Sequence, residues 1–157
     1  MSKHKIKSSI VFIHNKKSSY MEPVIEQAKL SNPNADVFII SDITAKYFYE
    51  KNGIFIDINE HFEEARDFEK IYVHMSPLSY GLELICLQRW FVLKSFMLKN
   101  ILNNVVYLDS DCMLYHDVSN DWDLFDNYNL ANLDIIAPAV TYIPKPNSLI
   151  KFCDFLI

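Results

Sequence analysis

Two aspartates, Asp109 and Asp111, stand directly after an apolar run at 105–108. Side chains alternate between the two faces of a strand, so both carboxylates point to one side, about 7 Å apart, if the extended geometry persists through Ser110. Two carboxylates at the edge of an apolar layer repel each other and resist desolvation, so a cation is expected between them. A hard divalent ion, Mg²⁺ or Mn²⁺, suits oxygen ligands and keeps coordination positions open for substrate phosphates.

Other structures use the same pattern of aspartates. Asp and Ser after a strand commonly form a turn or cap the next element, which is the purely structural alternative. A calcium loop is disfavoured, because Leu114 stands where the sharp-turn glycine belongs and Asn120 where the bidentate glutamate belongs. Phosphatases that form an aspartyl phosphate also carry Asp-x-Asp after a strand, but their pair usually opens the domain. Here most of the chain precedes it.

Arg89 is the second residue with candidate chemistry, because it belongs to an otherwise apolar helical face. Its same-face neighbours are all apolar, namely Ile85, Cys86, Val92, Leu93 and Phe96. A guanidinium that emerges from a buried stripe needs an anion. Arg89 therefore either forms a structural ion pair or extends its stem to the surface, or it reaches the crevice of the aspartates and binds a phosphate or sugar oxygen. Both readings stay open.

Strand-like and helical patterns alternate along the chain, and this order would position both groups. Strands are predicted at 9–14, 36–41, 54–58, from 105 to the aspartates, and at 134–142 with an interruption at Pro138, with a short extended piece at 71–74. Helices are predicted at 20–30, 44–51, 81–102 and 149–157, whereas 61–69 is a polar helix or turn and 122–128 is helical or irregular. The alternation predicts one α/β domain with a mainly parallel sheet, where ligands bind outside the carboxyl ends of the strands.

The composition excludes several classes of protein. Only 2 of the 157 residues are glycine, so a glycine-rich phosphate loop or dinucleotide fingerprint is absent from the sequence. The net charge is −5, with no basic stripe beyond the lysines near the amino terminus. A nucleic-acid surface is therefore not expected, and a small molecule is the expected partner. The lysines themselves predict a solvated tail or a weak contact with a membrane surface.

Cysteines and apolar runs predict the compartment. Cys86, Cys112 and Cys153 are odd in number and lie among apolar neighbours, which is typical of reduced core residues in a cytoplasmic protein. The first apolar run, 10–13, is too short for the hydrophobic part of a signal peptide. The most apolar stretch, 82–102, contains several charged residues, so no membrane span is predicted there.

A family resemblance rests on three segments: Tyr72-Val-His-Met-Ser, then Glu83-Leu-Ile-Cys-Leu-Gln-Arg-Trp-Phe, then Val-Val-Tyr-Leu-Asp-Ser-Asp-Cys-Met-Leu-Tyr. They resemble the nucleotide-sugar-binding half of GT-A-fold glycosyltransferases, especially bacterial enzymes of surface-polysaccharide pathways. The resemblance extends over roughly the whole chain and is specific from Tyr72 to Tyr115. It implies a Rossmann-like GT-A fold. It also implies transfer of a sugar from a nucleotide-sugar donor, UDP-linked by family habit, to a hydroxyl of a glycan or lipid-linked acceptor.

The resemblance implies roles for individual residues. Asp109 and Asp111 would coordinate a divalent metal, Mn²⁺ or Mg²⁺, on the donor diphosphate, with Ser110 between them as a donor-binding residue. Arg89 matches an arginine on the preceding helix that contacts the donor in this family. No third metal ligand and no catalytic base stands out, since the later aspartates and His116 fit solvated turns and caps.

The nucleotide end of the donor is expected at the first two strands. His14 and Asn15, at the end of the first predicted strand, match the place where the family's nucleotide base lies. Asp42, after the second strand, has a similar place.

Relatives in the resembled family run much further past Asp-x-Asp. The chain is therefore expected to be a single donor-binding domain without the acceptor-binding part, in the cytoplasm or at the inner face of the membrane. Two alternatives stay open. One is a catalytically inactive α/β module that a partner chain completes and that has no affinity for nucleotide sugars. The other is a nucleotidyltransferase, which also holds a metal between carboxylates. Such enzymes normally carry a glycine-rich basic loop after the first strand, whereas 14–20 contains two lysines and no glycine.

Overall fold

The computed structural model describes residues 6–125, 127–132 and 138–157. Within these residues six strands form one sheet in the order β3-β2-β1-β4-β6-β5. The strands are β1 (Ser9–Ile13), β2 (Asp36–Ser41), β3 (Ile54–Asp57), β4 (Val105–Leu108), β5 (Ala131–Asn132) and β6 (Val140–Ile143). Strands β1 to β4 run parallel to one another, and β6 runs antiparallel to both of its neighbours, β4 and β5. The predicted α/β architecture with a mainly parallel sheet is confirmed.

Helices cover both faces of the sheet. They are α1 (Met21–Ser31), α2 (Lys46–Tyr49), α3 (Glu63–Ile71), α4 (Tyr80–Lys99), α5 (Trp122–Phe125) and α6 (Pro146–Leu156). One apolar core lies between the sheet and α3, α4 and α6, and a second lies between the sheet and α1, α2 and α5. Helices on both faces leave the ends of the parallel strands as the open side of the domain.

The central position of strand β4, with a core on each face, explains why its sequence is apolar at every residue. Val105 and Tyr107 face the core beneath α4, whereas Val106 and Leu108 face the core beneath α1. All four side chains are buried. A parallel strand covered on both faces needs such a continuous apolar run. The run ends at Leu108 because the next residues leave the sheet at its carboxyl edge.

The predicted extended piece at 71–74 is wrong at Ile71 and forms no strand, although the backbone of Tyr72 is extended. Helix α3 continues through Ile71, and the following residues join no strand. Side chains hold this segment instead, since Tyr72 Oη lies 3.2 Å from His74 Nδ1, and His74 Nδ1 lies 2.6 Å from a Glu83 carboxylate oxygen at the start of α4. Val73, which lies between them, is 68% exposed. The alternating pattern of this segment therefore comes from the contact of Tyr72 and His74 with α4 and not from a place in the sheet.

Several boundaries also differ from the sequence prediction. Helix α4 ends at Lys99 rather than at 102, because Ile101 adopts a left-handed conformation (φ 53°) and the Leu102 amide donates to the Met97 carbonyl. Helix α6 begins at Pro146, three residues earlier than predicted, with proline in its first turn. The two-residue strand β5 was not predicted. Of the strand predicted at 134–142, residues 134–137 lie outside the described residues, and β6 begins at Val140.

Candidate functional site

A cavity of about 510 Å³ opens at the carboxyl ends of β1 and β4, which are neighbours in the sheet. Its walls are the loop after β1, the loop after β4 and one face of α4 that carries Leu82, Ile85, Cys86 and Arg89. The structure brings together six of the predicted site residues here, namely His14, Asn15, Arg89, Asp109, Ser110 and Asp111. A crevice outside the carboxyl ends of parallel strands is the usual ligand site of open α/β sheets.

Arg89 and Asp109 form an ion pair at the inner wall of this cavity. Arg89 Nη1 donates to Asp109 Oδ1 at 2.5 Å, and the two side chains are only 14% and 28% exposed. The Tyr107 hydroxyl donates to the same Oδ1 at 2.7 Å and lies 3.2 Å from Nη1. Burial raises the pKa of Tyr107 well above its ordinary value, so its hydroxyl stays protonated and keeps donating. Asp109 is therefore held by two donors on one oxygen.

Aromatic rings fix the guanidinium of Arg89. Its Cζ lies 5.2 Å from the Trp90 ring centroid and 5.3 Å from that of Tyr107, within the range of cation–π attraction. Arg89 Nε is buried and has no hydrogen-bond partner among the described residues. The sequence left a structural ion pair and a place in the crevice as alternatives. In the structure Arg89 forms the ion pair and also lines the cavity.

A second network joins the loops after β1 and β4. The two ring nitrogens of His14 lie 3.1 Å from Ser110 Oγ and 2.8 Å from Ser18 Oγ, and Tyr20 Oη lies 3.2 Å from the same Ser110 oxygen. Burial lowers the pKa of His14, which favours the neutral ring. A neutral imidazole has one donor and one acceptor nitrogen, and a hydroxyl group can pair with either of them. The network holds Ser110, and with it the loop that carries both aspartates.

The two aspartates suit a divalent cation. Both contacts to Asp109 use Oδ1, which leaves Oδ2 without a partner in the described part of the chain, and Asp111 is exposed at the cavity. Burial raises the pKa of the neighbouring Cys112 thiol, and the negative charges of Asp111 and Asp109 raise it further. The same negative charges attract cations. Mg²⁺ and Mn²⁺ commonly use one or two carboxylates and complete their shell with phosphates and water. The donor set therefore fits such an ion.

Within the described residues, Asp109 and Asp111 are not joined by a further His, Cys, Asp or Glu side chain that could complete a metal site. Among residues 6–125, 127–132 and 138–157, no three His, Cys, Asp or Glu side chains come together as a metal site. Asp126 and Asp134, which the sequence offered among the remaining carboxylates, lie outside the described residues. His116 lies 2.9 Å from Asp121 Oδ1, as expected for a loop residue.

Asp42 lies outside the main cavity. It lines a neighbouring cavity of about 440 Å³ at the ends of β2 and β3, which shares Asn15 and Lys16 with the first. The Asp42 carboxylate accepts hydrogen bonds from the Thr44 amide at 2.8 Å and the Thr44 hydroxyl at 2.6 Å. These bonds lower its pKa and begin the short helical turn that follows β2. Asp42 thus has a capping role, and its role in binding stays a prediction.

Sequence reasoning missed Tyr107 as a member of the site. The signal was present, because Tyr107 precedes Asp109 by two residues in an extended segment and so faces the same side. A buried tyrosine hydroxyl also needs a partner, and the carboxylate two residues on is the nearest candidate. Lys16, Ser18 and Cys86 also line the cavity, but nothing in their sequence context distinguished them from surface or core residues.

The membrane prediction can be compared with the described helices. In the part of the chain that the structure covers, none of the helices combines the length and the apolar character that crossing a bilayer requires.

Solved structures of glycosyltransferases share this architecture. The PaToxG glycosyltransferase superposes with a TM-score of 0.55 at 17% sequence identity, over 95% of this chain and 59% of that one. The glycosyltransferase GlyE of Streptococcus pneumoniae TIGR4 gives a TM-score of 0.54 at 18% identity, over 94% of this chain and 38% of that one. The apo form of GlyE gives 0.52 at 16% identity, over 95% and 38%. No protein-family model and no curated protein matches the chain. The chain spans between 38% and 59% of the length of these neighbours, and its α/β sheet with flanking helices has a GT-A-like fold.

Proposed function

We propose that this protein binds a nucleotide-sugar donor together with Mn²⁺ or Mg²⁺ and transfers the sugar to an acceptor hydroxyl. The observation that carries the proposal is the convergence of Asp109, Asp111 and Arg89 on one cavity at the carboxyl ends of β1 and β4. Carboxylates for a cation and a guanidinium for a phosphate are the groups that a metal–diphosphate ligand needs. The glycosyltransferase fold of the neighbours supports the same function.

The proposed roles of the residues follow from their chemistry. Asp109, through Oδ2, and Asp111 would hold the divalent ion, which supplies positive charge against the negative charge that develops on the departing nucleoside diphosphate. Arg89 adds a second positive charge for the same leaving group. Trp90 and Tyr107 keep its guanidinium in a fixed place, so little reorganisation is needed during the reaction.

The remaining predicted residues would bind the nucleotide end of the donor. His14 and Asn15 line the same cavity from the end of β1, and Asp42 lies in the adjoining one beyond Asn15. The main cavity, at about 510 Å³, has the size of a small-molecule site. Its wall on α4 is apolar at Leu82 and Ile85, so it excludes water from one side of a bound ligand.

The classes of donor and acceptor are proposed from the family resemblance. The donor is a UDP-sugar, and the acceptor is a hydroxyl of a glycan or lipid-linked molecule in surface-polysaccharide or glycan synthesis. The proposed location is the cytoplasm or the inner face of the membrane.

Isothermal titration calorimetry tests the binding part of this proposal. UDP and a panel of UDP-sugars are titrated with and without Mn²⁺ into the protein and into Asp109→Asn and Asp111→Asn. We expect Mn²⁺-dependent binding that both variants weaken by tenfold or more. Asp67→Asn is the matched control, because this exposed carboxylate pairs with Lys70 on α3 and does not line the cavity. Metal-independent binding, or equal binding by the aspartate variants, would contradict the metal assignment.

Turnover separates the enzyme from the alternatives. Release of UDP from a UDP-sugar, with or without an acceptor, is expected of a glycosyltransferase domain and is abolished in the two aspartate variants. Absence of both UDP-sugar binding and UDP release would favour the inactive module, which is expected to have no affinity for nucleotide sugars. Preference for a nucleoside triphosphate over a UDP-sugar would favour the nucleotidyltransferase.

A further inference from the structure

Asp109 already has a cation partner within the protein. Arg89 Nη1 and the Tyr107 hydroxyl both donate to Asp109 Oδ1, and the Arg89 and Asp109 side chains are largely shielded from water. A carboxylate that is neutralised in this way attracts a second cation less strongly than a bare one. The neighbouring Asp111 has no such partner and is exposed. The two aspartates of the motif are therefore not equivalent.

We infer that Arg89 competes with the divalent cation for Asp109, so the site binds the cation weakly by itself and tightly together with a diphosphate. The inference rests on the proposed function, because it concerns the ligand of that same site. It makes the cavity selective for a metal–diphosphate complex over the bare metal ion.

The surroundings of Arg89 allow it to change partner. The guanidinium lines the cavity, and only Nη1 is hydrogen-bonded within the described residues. Arg89 Nε is buried and has no hydrogen-bond partner among the described residues, so one donor of the guanidinium is not used when Arg89 pairs with Asp109. A phosphate offers a bidentate, charge-assisted contact that a single carboxylate oxygen does not. The rings of Trp90 and Tyr107 keep the guanidinium at the wall of the cavity. To bind a phosphate it therefore needs only to rotate there, and it does not have to leave the wall.

A change of partner would alter the charge balance at Asp109. Once the guanidinium binds a phosphate, only the neutral Tyr107 hydroxyl still donates to Asp109. The negative charge of Asp109 is then no longer balanced by Arg89 and can attract the metal ion. The diphosphate thereby raises the affinity for the cation, and by linkage the cation raises the affinity for the diphosphate by the same factor.

Manganese binding tests the competition without any need for turnover. Electron paramagnetic resonance of free Mn²⁺ gives its dissociation constant in the wild-type protein, with and without UDP. We expect UDP to tighten Mn²⁺ binding by about fivefold or more, the usual range of a coupling between sites. In Arg89→Gln, Mn²⁺ alone should bind about tenfold tighter than in wild type, because a charge-assisted bond to Asp109 is gone. In this variant UDP should tighten Mn²⁺ binding less than it does in wild type, because only the direct coordination of the metal by the diphosphate remains.

Lys16→Gln is the matched control for charge. Lys16 lines the same cavity and the substitution also removes one positive charge, but Lys16 does not contact Asp109. We expect its Mn²⁺ affinity to stay within about twofold of wild type, since the charge is exposed and screened. An equal gain in Lys16→Gln and Arg89→Gln would mean that net charge alone sets the affinity, and would overturn the inference.

The remaining outcomes separate the two proposals. If calorimetry shows UDP binding but Mn²⁺ affinity is the same with and without UDP, the competition is wrong and the proposed function stands. If UDP does not bind while Arg89→Gln still tightens Mn²⁺ binding, the competition stands and the proposed donor is wrong. Circular dichroism checks the fold of Arg89→Gln. Should that variant not fold, equal Mn²⁺ affinity of the wild-type protein with and without UDP would still overturn the inference.

Discussion

Asp109→Asn and Asp111→Asn should differ in stability, although both are expected to weaken Mn²⁺-dependent binding by tenfold or more. In Asp109→Asn the amide keeps the size of the carboxylate and an acceptor oxygen, but the charge that balances Arg89 is lost. Arg89, only 14% exposed, then carries an uncompensated charge in a poorly hydrated place. Asp111 is exposed and pairs with no cation in the described residues, so its substitution leaves no such charge behind.

The magnitude follows from the exposure of the pair. Breaking a fully buried ion pair costs about 3–5 kcal/mol, and an exposed pair contributes at most about 1 kcal/mol. With side chains 14% and 28% exposed, the Arg89–Asp109 pair lies between these limits. We expect a loss of about 2 kcal/mol in the free energy of unfolding, which lowers the melting temperature of a domain of this size by about 4–8 °C. Asp111→Asn should stay within about 0.5 kcal/mol of wild type.

Urea unfolding followed by circular dichroism measures both variants. The experiment is done at pH 7 in EDTA, so that bound metal does not add to stability. Because both substitutions remove one carboxylate from the same loop, Asp111→Asn is the control for Asp109→Asn. If the two variants have the same unfolding midpoint, Asp109 does not compensate the charge of Arg89 and the competition inferred above loses its basis.

Three further predictions concern the scaffold. Burial lowers the pKa of His61, so the unfolded chain binds more protons than the folded one and the free energy of unfolding falls as the pH drops below about 6.5. Thermal melts from pH 8 to 5 should show a shallower loss in His61→Gln. Asn32→Ala removes three hydrogen bonds to backbone groups and should cost about 2–3 kcal/mol in urea unfolding, whereas exposed Asn34→Ala should cost less than about 0.5. Gly53→Ala would bring a Cβ into a clash with the Ile39 side chain and should cost about 1–3 kcal/mol, whereas Gly81→Ala in helix α4 meets no atom within 4 Å and should be stabilising by about 0.5–1 kcal/mol in the same assay.

The sheet and its crevice could be predicted because their signals are local. The apolar run at 105–108 is continuous since both faces of β4 are covered, and the carboxylates mark the point where the chain leaves the sheet. The end of α4 could not be predicted, because the left-handed residue there is Ile101. Glycine or asparagine normally marks this position, and a β-branched residue adopts it at a steric cost.

The site was predicted as a set of residues but not as a set of contacts. The sequence offered the crevice of Asp109 as one of two readings of Arg89. Whether the two side chains pair depends on how α4 packs over β4, which involves residues far apart in the chain. Similarly, Asp42 follows a strand as Asp109 does, but its carboxylate is used by Thr44 two residues later. A local competitor for a hydrogen bond is hard to recognise from sequence when the same residue type also suits a ligand.

The hydrogen bonds among His14, Ser110 and Tyr20 join two loops that lie about ninety residues or more apart in the chain. Each loop follows a different strand, so neither can change length or composition without disturbing the other. Across homologous sequences, the residues at positions 14 and 110 should therefore vary together rather than independently. A serine-to-alanine change at 110 would be tolerated best where position 14 no longer carries a ring nitrogen that needs a hydroxyl partner.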